Sequence, residues 1–390
     1  MSEKNVFESL SEEILKSLEK LHIKEPTPVQ GKIIPLVLEG QSVIFQSETG
    51  TGKTFAYLLP LIEKINAENE KNPIRKQERH IKAIILAPTI ELSSQIKQNI
   101  AKITNLQSAL FIGGTPIKRQ METLKERPEI VVGTPTRLVE LIRLKKLKTE
   151  NVIATVFDEV DRLLKPELLD EITSFMDLIP ENAQKIACSA TIDKRTKDFF
   201  SKRSNAKIEI LPNENILAEK ITHWALYAEN RDKIELLKKF LLAEKPEKAL
   251  IFTSRLEQVQ KISNFLNGGK IHCTALTAKT EKQQRQSIIS QFRSGKISIL
   301  VTSDLTARGL DIPGITHIIQ MDLPDDKDFF IHRAGRTARA GKTGINIVIG
   351  DEYEMNSFSR LEKNLKIIVY PKQIINGKVV APRVIEDKKL

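Results

Sequence analysis

Cysteine is scarce in this chain, which has two among its 390 residues, Cys188 and Cys273. They lie far apart and lack the spacing of metal ligands, which argues against a disulfide framework and against a cysteine-bound metal. Apolar runs long enough to cross a bilayer are also missing, and the start lacks the basic and then apolar layout of a secretion signal. We therefore expect a cytoplasmic protein that does not enter a membrane.

Acidic residues are outnumbered: 61 Lys and Arg stand against 50 Asp and Glu, for a net charge of +11. This balance is compatible with a polyanionic partner, but alone it argues only for solubility and non-specific attraction. Hydrophobic residues at 40% and charged residues at 28% are typical of globular domains. The length predicts two or three domains.

Short runs rich in Val, Ile and Leu alternate with longer helix-like segments in both halves of the chain. The ten runs lie at 42–46, 83–88, 129–135, 154–160, 185–191, 249–254, 271–276, 297–304, 316–324 and 345–350. Continuous apolar runs between helices predict parallel strands covered on both faces. The predicted fold is α/β, with two doubly wound parallel-sheet domains at 1–210 and 221–390, joined by a linker at 211–220.

Three smaller expectations complete this outline. The polar segment 66–80 is expected to be a surface loop. After Gly350 we expect one more helix and a short tail. The residues of chemical interest directly follow the apolar runs, and in open α/β sheets ligands gather beyond the carboxyl ends of the strands.

The segment SETGTGKT follows the first apolar run and places Gly50 and Gly52 before Lys53 and Thr54. Such a loop points backbone N–H groups and a helix N-terminus at phosphates, with Lys reaching the outer phosphates and the hydroxyl holding Mg²⁺. Ser47 stands where the strict pattern has Gly. The alternative is a glycine-rich turn without a ligand.

Two adjacent acids, Asp158 and Glu159, end another apolar run. Because adjacent carboxylates repel each other, a strand end that carries both favours a cation and a reacting water at that point. We assign Asp158 to Mg²⁺ and Glu159 to polarising the attacking water. The alternative is a helix N-terminus enriched in acids, which suits Asp161 better.

A row of cations, Arg333, Arg336, Arg339 and Lys342, occurs at intervals of three residues. On a helix this spacing would align like charges along one side, which is unfavourable by tenths of a kcal/mol per pair. We therefore expect something negative to face the row.

Taken together and in order, SETGTGKT, DEVD, SAT, ARGLD and HRAGRTARAG resemble the motifs of a DEAD-box RNA helicase. The resemblance runs from Phe7 to about residue 370. It implies two RecA-like domains, RNA-stimulated hydrolysis of ATP with Mg²⁺, and local unwinding or remodelling of RNA duplexes. It also suggests a monomer that protein partners direct to RNA.

The resemblance assigns residues to the nucleotide site. The expected ATP-binding residues are Phe7, Gln30, Thr49, Gly50, Thr51, Gly52, Lys53, Thr54 and Asp311, with Thr54 and Asp158 on the metal. The expected catalytic residues are Lys53, Asp158, Glu159, Arg336 and Arg339, the two arginines reaching the γ-phosphate from the second domain. Coupling between ATP and domain closure falls to Ser189, Thr191, His332 and Arg333.

The resemblance also assigns RNA contacts to loops of both domains, whose glycines and hydroxyls let the backbone approach phosphates. Those of the first domain are Pro88, Thr89, Gly113, Gly114, Thr134, Pro135 and Arg137. Those of the second are Thr253, Ser254, Arg255, Arg285, Ser303, Asp304 and Arg308.

Two other functions stay open at this point. One is a DNA-stimulated ATPase of the wider helicase superfamily. The other is an RNA clamp or scaffold with little turnover, suggested by Ile90 where the family has Arg and by Val160 where it has Ala.

Overall fold

In a computed structural model, the chain forms two compact units, Met1–Asn213 and Glu214–Leu390. The structure describes residues 5–47, 51–71, 75, 78–204, 206–210, 216–307, 312–324, 326–338 and 342–382. Each unit has its own sheet and its own core, so each is described by itself.

A parallel sheet of seven strands, ordered β3-β4-β2-β5-β6-β1-β7, forms the first unit. Its strands are β1 (Val43–Gln46), β2 (Ala83–Leu86), β3 (Ser108–Phe111), β4 (Ile130–Gly133), β5 (Ala154–Asp158), β6 (Gln184–Ser189) and β7 (Lys207–Ile210). Its helices are a 3₁₀ turn (Val6–Ser9), α1 (Glu12–Lys20), α2 (Pro28–Leu38), α3 (Lys53–Lys71), α4 (Ile90–Ile103), α5 (Ile117–Lys125), α6 (Pro135–Arg143), α7 (Val160–Leu163), α8 (Pro166–Leu178) and α9 (Lys194–Ser201).

Both faces of this sheet are buried, as continuous apolar runs predict. Phe45 and Ile85 pack into the core on one face, whereas Ile44 and Ile84 pack into the core on the other. This alternation places successive residues of a strand on opposite faces, so the prediction of a doubly wound sheet is confirmed.

The order of the strands divides the carboxyl edge of the first sheet into two parts. Strands β5, β6 and β1 are neighbours, and strands β3, β4 and β2 are neighbours. Because all of these strands are parallel, the loops that follow each set lie together at the same edge.

The second unit contains a sheet of eight strands, ordered β10-β11-β9-β12-β13-β8-β14-β15. Its strands are β8 (Ile221–Tyr227), β9 (Ala249–Phe252), β10 (Thr274–Leu276), β11 (Ile299–Thr302), β12 (His317–Gln320), β13 (Gly344–Gly350), β14 (Val369–Ile375) and β15 (Lys378–Val380). Its helices are α10 (Ile216–Glu219), α11 (Lys233–Glu244), α12 (Leu256–Gly268), α13 (Lys282–Ser294), α14 (Asp304–Ala307), α15 (Lys327–Ala334) and α16 (Glu352–Leu365). The last two strands pair antiparallel, and the rest of the sheet is parallel.

Some local expectations were wrong. Residues 66–71 of the expected surface loop continue helix α3, where Asn69 accepts a hydrogen bond from Lys82. The linker expected at 211–220 stays a prediction: the two units divide inside it, and its residues 216–219 form the helical turn α10, whose Leu217 packs into a core of the second unit. After Gly350 the chain forms two strands besides the helix.

The row of cations does not lie on one helix. Helix α15 ends at Ala334, so Arg333 falls in its last turn and Arg336 lies beyond it. Arg339 lies outside the described residues. The spacing therefore does not align Arg333 and Arg336 on one helix, and acids of the same unit face Arg333. In the described part of the chain, no helix is long and apolar enough to cross a membrane.

Replacing Gly133 by alanine should destabilise the first unit, because its Cβ would lie 2.3 Å from the carbonyl oxygen of Phe111. We expect a loss of about 1–3 kcal/mol from this overpacking. Urea denaturation followed by far-UV circular dichroism measures it. Gly31→Ala is the matched control: nothing lies within 4 Å of its added Cβ, and alanine inside helix α2 should be neutral or stabilising. Equal midpoints for the two variants would contradict this account.

Candidate functional sites

The loop after β1 leads directly into helix α3. Lys53 Nζ donates to the carbonyl oxygen of Ser47 at 2.7 Å, and the hydroxyls of Ser47 and Thr51 are 2.6 Å apart. These bonds close the described part of the loop over the helix N-terminus, where N–H groups favour an anion. Thr49 and Gly50 lie outside the described residues.

Gly52 is required by its surroundings. Its φ is +94°, and an added Cβ would lie 2.6 Å from Gln30 Nε2. Gln30 is 2% exposed, and its Nε2 donates to the Gly52 carbonyl at 3.3 Å while its Oε1 accepts from the Thr27 amide at 3.0 Å. The segment expected to bind adenine therefore contacts the phosphate loop. Phe7 is 4% exposed and packs into the core.

Asp158, at the end of β5, is 4% exposed and accepts hydrogen bonds on both oxygens. Tyr57 donates to Oδ2 at 2.8 Å, and the Cys188 thiol and the Glu159 amide donate to Oδ1 at 3.2 and 2.9 Å. Burial and the charge of Glu159 raise the pKa of Asp158, and the hydrogen bonds from Tyr57 and Cys188, together with the charge of Lys53, oppose that rise. In turn, burial lowers the pKa of Lys53.

Glu159 has a left-handed backbone, with φ 53° and ψ 52°, at the start of the short helix α7. Such a conformation is unfavourable for a residue with a Cβ and occurs preferentially at functional sites. Its Oε2 is buried without a hydrogen bond to the described residues and lies 3.6 Å from Arg162 Nε.

Ser189 ends β6, and Thr191 follows it and connects the strand to the acidic segment. Thr191 Oγ1 donates to Asp161 Oδ2 at 2.9 Å, and the Thr191 amide donates to Ser189 Oγ at 3.4 Å. The two acids, the phosphate loop and the SAT segment thus belong to three neighbouring strands, as the strand order requires.

The donors at this site fit Mg²⁺. Oxygen ligands suit this ion, which keeps several waters and usually takes one or two carboxylates together with substrate phosphates. Tyr57 links the two expected ligands, because its hydroxyl bonds both Asp158 and Thr54. No group of three His, Cys, Asp or Glu suited to a metal occurs among the residues that the structure describes.

The other part of the carboxyl edge carries the loops after β2, β3 and β4. Thr89 caps helix α4 by accepting from the Leu92 amide at 3.2 Å. Arg137, on α6, donates to the Thr115 carbonyl at 2.9 Å and to Gln120 Oε1 at 3.0 Å. Arg137 therefore joins the loop after β4 to the loop after β3, which contains Gly113 and Gly114.

These three loops present groups that suit phosphates. Helices α4 and α6 both begin at this edge, with Thr89 before one and Thr134 and Pro135 at the start of the other. Gly114 has φ +73°, and nothing lies within 4 Å of a Cβ built on Gly113, so backbone is open to a ligand there. Pro88 is half-buried beside them, and Ile90 is 41% exposed.

In the second unit, Arg333 is the centre of a buried ionic cluster. Its Nη2 lies 2.5 Å from Asp304 Oδ2 and 3.2 Å from Asp322 Oδ1, and it donates to Ser254 Oγ at 2.8 Å. Arg333 is 1% exposed. The cluster joins the loops after β9, β11 and β12.

Asp322 holds the loop after β9 in place. It accepts from the Ser254 amide and hydroxyl and, at 2.8 Å, from the Thr253 hydroxyl. Burial alone would raise the pKa of Asp322, but Arg333 and these hydrogen bonds lower it. The two acids likewise raise the pKa of Arg333 despite its burial.

The remaining expected residues of the second unit differ in their hydrogen bonds and in their exposure. Arg285 donates to the Thr306 carbonyl at 2.8 Å, and the Ser303 and Thr306 hydroxyls are 3.0 Å apart. Arg255 is exposed. His332 and Arg336 are buried at 4% and 8% exposure. Arg308, Asp311 and Arg339 lie outside the described residues.

Comparisons with known proteins agree with this geometry. The family model described as DEAD/DEAH box helicase matches residues 27–199, and the helicase conserved C-terminal domain matches residues 232–341. The chain is 36% identical over 374 residues to the DEAD-box ATP-dependent RNA helicase CshC of Bacillus cereus, covering 95% of this chain and 94% of that one. It is 35% identical to CshB of Bacillus subtilis, covering 90% of this chain and 80% of that one.

Solved structures give the same result. The chain matches S. cerevisiae Dbp5 bound to RNA and ADP BeF3 with a TM-score of 0.82 and 26% identity, covering 94% of this chain and 96% of that one. It matches Mss116p bound to ssRNA and AMP-PNP with a TM-score of 0.84 and 27% identity, covering 96% of this chain and 80% of that one. Fold and site define a helicase with two RecA-like domains, and the chain belongs to the DEAD-box family of ATP-dependent RNA helicases.

Three residues at these sites were missed from the sequence: Tyr57, Cys188 and Asp322. Asp322 lies two residues after the end of β12, so the rule that found Asp158 at a strand end could have found it too. Tyr57 and Cys188 gave no comparable signal, because they resemble ordinary core residues.

Replacing Tyr57 by Phe should move the acid limb of the pH profile of ATP hydrolysis to higher pH. The Tyr57 hydrogen bond favours ionised Asp158, so its loss raises the pKa of Asp158 further and protonates it at higher pH. Half-maximal turnover should also need about tenfold more Mg²⁺, as for other partners of metal ligands. Turnover measured across pH and Mg²⁺ concentration tests both.

The control is Tyr227→Phe, which removes an exposed hydroxyl bonded to Glu229 in the second unit. It should leave both profiles unchanged. An unshifted acid limb in Tyr57→Phe would show that Tyr57 does not tune Asp158.

Proposed function

We propose that this chain couples RNA-stimulated ATP hydrolysis to local unwinding or remodelling of RNA duplexes. The observation that carries the proposal is the division of one sheet edge. The phosphate loop, the acids and the SAT segment follow β1, β5 and β6, and the glycine- and hydroxyl-bearing loops follow β2, β3 and β4. One rigid sheet thus supports a nucleotide site and an RNA site side by side.

The nucleotide site suits the chemistry of phosphoryl transfer, which depends on positioning and charge stabilisation. Lys53 and the N-terminus of α3 would bind phosphates, and Glu159 would orient the attacking water. Thr54 and Asp158 would hold Mg²⁺, which neutralises developing charge when bound. Gln30 would serve adenine from its place against Gly52.

The arginines of the second unit would complete the site. Arg336 and Arg339 are proposed to reach the γ-phosphate once ATP and RNA are both bound, with His332 and Arg333 coupling that step to closure. An arginine supplied in this way contributes about 10³–10⁵ in rate. While both are bound, one RNA strand would be bent, which separates the duplex locally. Reopening of the two domains after hydrolysis would release that strand.

Relatives support RNA as the partner, since Dbp5 and Mss116p were solved with it. Location in the cytoplasm, a monomeric state and protein partners stay predictions. The alternative is a DNA-stimulated ATPase, and equal stimulation of ATP hydrolysis by DNA and by RNA would favour it. The scaffold alternative also stays open: Val160 is fully buried in the core, whereas Ile90 is 41% exposed.

Lys53→Ala and Glu159→Gln should each lower RNA-stimulated ATP hydrolysis by about 100-fold or more, since each removes a group that acts on the reacting phosphate or water. Phosphate release with saturating single-stranded RNA is the measurement. Glu150→Gln, an exposed acid away from the site, is the control. Turnover near that of the unchanged chain in Glu159→Gln would contradict the proposed role.

RNA binding should weaken linearly in log Kd against log salt, by about 0.7 per phosphate contact on a single strand. Arg137→Ala should make this slope shallower, because Arg137 lies at the start of α6 and holds the loop after β3. Fluorescence anisotropy with a labelled oligoribonucleotide measures the slope. Arg143→Ala, at the other end of the same helix, should leave it unchanged; binding that ignores salt would contradict a phosphate-tracking surface.

A further inference from the structure

A line of buried polar side chains crosses the sheet of the second unit beneath Arg333. It consists of Gln320 on β12, Asn346 on β13 and His223 on β8, which are 0%, 0% and 1% exposed. We call these three residues the polar chain. None of them has a role in the sites described above.

The polar chain is continuous from the ionic cluster to helix α10. Arg333 Nη1 lies 3.2 Å from Gln320 Oε1, and Gln320 Nε2 lies 2.8 Å from Asn346 Oδ1. Asn346 Nδ2 lies 3.1 Å from His223 Nδ1, and His223 Nε2 lies 2.7 Å from the Leu217 carbonyl. Four hydrogen bonds therefore link Arg333 to the first helical turn of the second unit.

The two ends fix the direction of every bond. A guanidinium can only donate and a backbone carbonyl can only accept, whereas an amide can turn over to do either. Gln320 must therefore present its oxygen to Arg333, Asn346 must present its oxygen to Gln320, and His223 must accept on Nδ1 and carry its proton on Nε2. Turning over either amide would set donor against donor or acceptor against acceptor.

The surroundings keep His223 in this neutral state. Burial lowers the pKa of His223 to about 4, although the Leu217 carbonyl and Glu362 oppose the fall. The ring of Phe330 stacks on it with centroids 5.8 Å apart. The polar chain therefore keeps the single set of hydrogen-bond directions given above at neutral pH.

At its other end, the polar chain contacts the Arg333 guanidinium through Gln320. Gln320 takes one Nη1 hydrogen, and the rest of the guanidinium faces Asp304, Asp322 and Ser254. Because the guanidinium is planar, fixing Nη1 also fixes the directions of Nε and Nη2. The orientation of Arg333 therefore sets the relative placement of the loops after β9, β11 and β12.

We propose that Gln320, Asn346 and His223 are positioning residues that lock the Arg333 guanidinium and so pre-organise the three loops of the second unit for RNA. This rests on the proposed function, in which Thr253, Ser254 and Asp304 serve RNA. A buried network of this kind fixes one arrangement when every member is satisfied. Breaking any link removes the fixed Gln320 contact at Nη1 and leaves the guanidinium held by Asp304, Asp322 and Ser254 alone.

The test uses the full-length chain with Gln320→Met, Asn346→Leu and both changes together. Each single variant should raise the RNA concentration for half-maximal ATPase stimulation by about tenfold, within the 2- to 30-fold range known for network residues, with KM for ATP within twofold. The double variant should be no worse than the more affected single variant, because one broken link already removes the fixed Gln320 contact from Arg333.

Val348→Ala is the matched control, since Val348 lies on the same strand as Asn346 and packs into the same side of the sheet. It should lower Tm without changing the RNA concentration needed. If Gln320→Met and Asn346→Leu lower Tm but leave the RNA concentration for half-maximal stimulation unchanged, the polar chain is only structural. That result overturns the proposal. Gln320→Met keeps the side-chain shape and serves alone if Asn346→Leu does not fold.

A spectroscopic readout separates this proposal from the proposed function. In ¹⁵N-arginine-labelled protein, the Arg333 Nη protons should give resolved signals that merge in Gln320→Met as rotation becomes free. Unchanged signals in that variant would overturn the lock, whatever the ATPase does. Merging signals in a chain that RNA fails to stimulate would confirm the lock and refute the proposed function instead.

Discussion

Parallel alignment of strands in the first unit is the constraint on which the rest depends. It brings the carboxyl ends of β5, β6 and β1 together, so Asp158, Ser189 and the phosphate loop meet although they are distant in the chain. The same alignment gathers the loops after β2, β3 and β4 at the neighbouring part of the edge. Two groups of loops therefore share one sheet, and the strand order keeps them apart.

Buried charge is the second theme, and it takes opposite signs in the two units. Asp158 is held by a hydroxyl, a thiol and an amide, which offset part of the cost of burying a carboxylate beside Glu159. Arg333 is held by two acids and by the polar chain. In both cases neighbouring groups form hydrogen bonds with the buried charged group, so the orientation of that side chain is fixed before a ligand binds.

Much of the fold could be predicted from the sequence, because parallel strands buried on both faces produce continuous apolar runs. Strand β3, at an edge of its sheet, and strand β8 alternate buried and less buried residues and gave no such run. The motifs could also be found from the sequence, because the residues of each motif are consecutive along the chain. Partners such as Tyr57 and Asp158, 101 residues apart, meet only through the fold, and the polar chain consists of residues that look ordinary one at a time.

The central proposal is that guanidinium groups of the second unit would neutralise negative charge on ATP bound by the first. Single-turnover ATP hydrolysis at saturating RNA in Arg336→Ala and Arg339→Ala, with the exposed Arg360→Ala as control, tests it most directly. The account predicts a loss of about 10³-fold or more in both variants, with ATP affinity changed only a few-fold and Arg360→Ala unaffected. Hydrolysis within a few-fold of the unchanged chain in both arginine variants would contradict it.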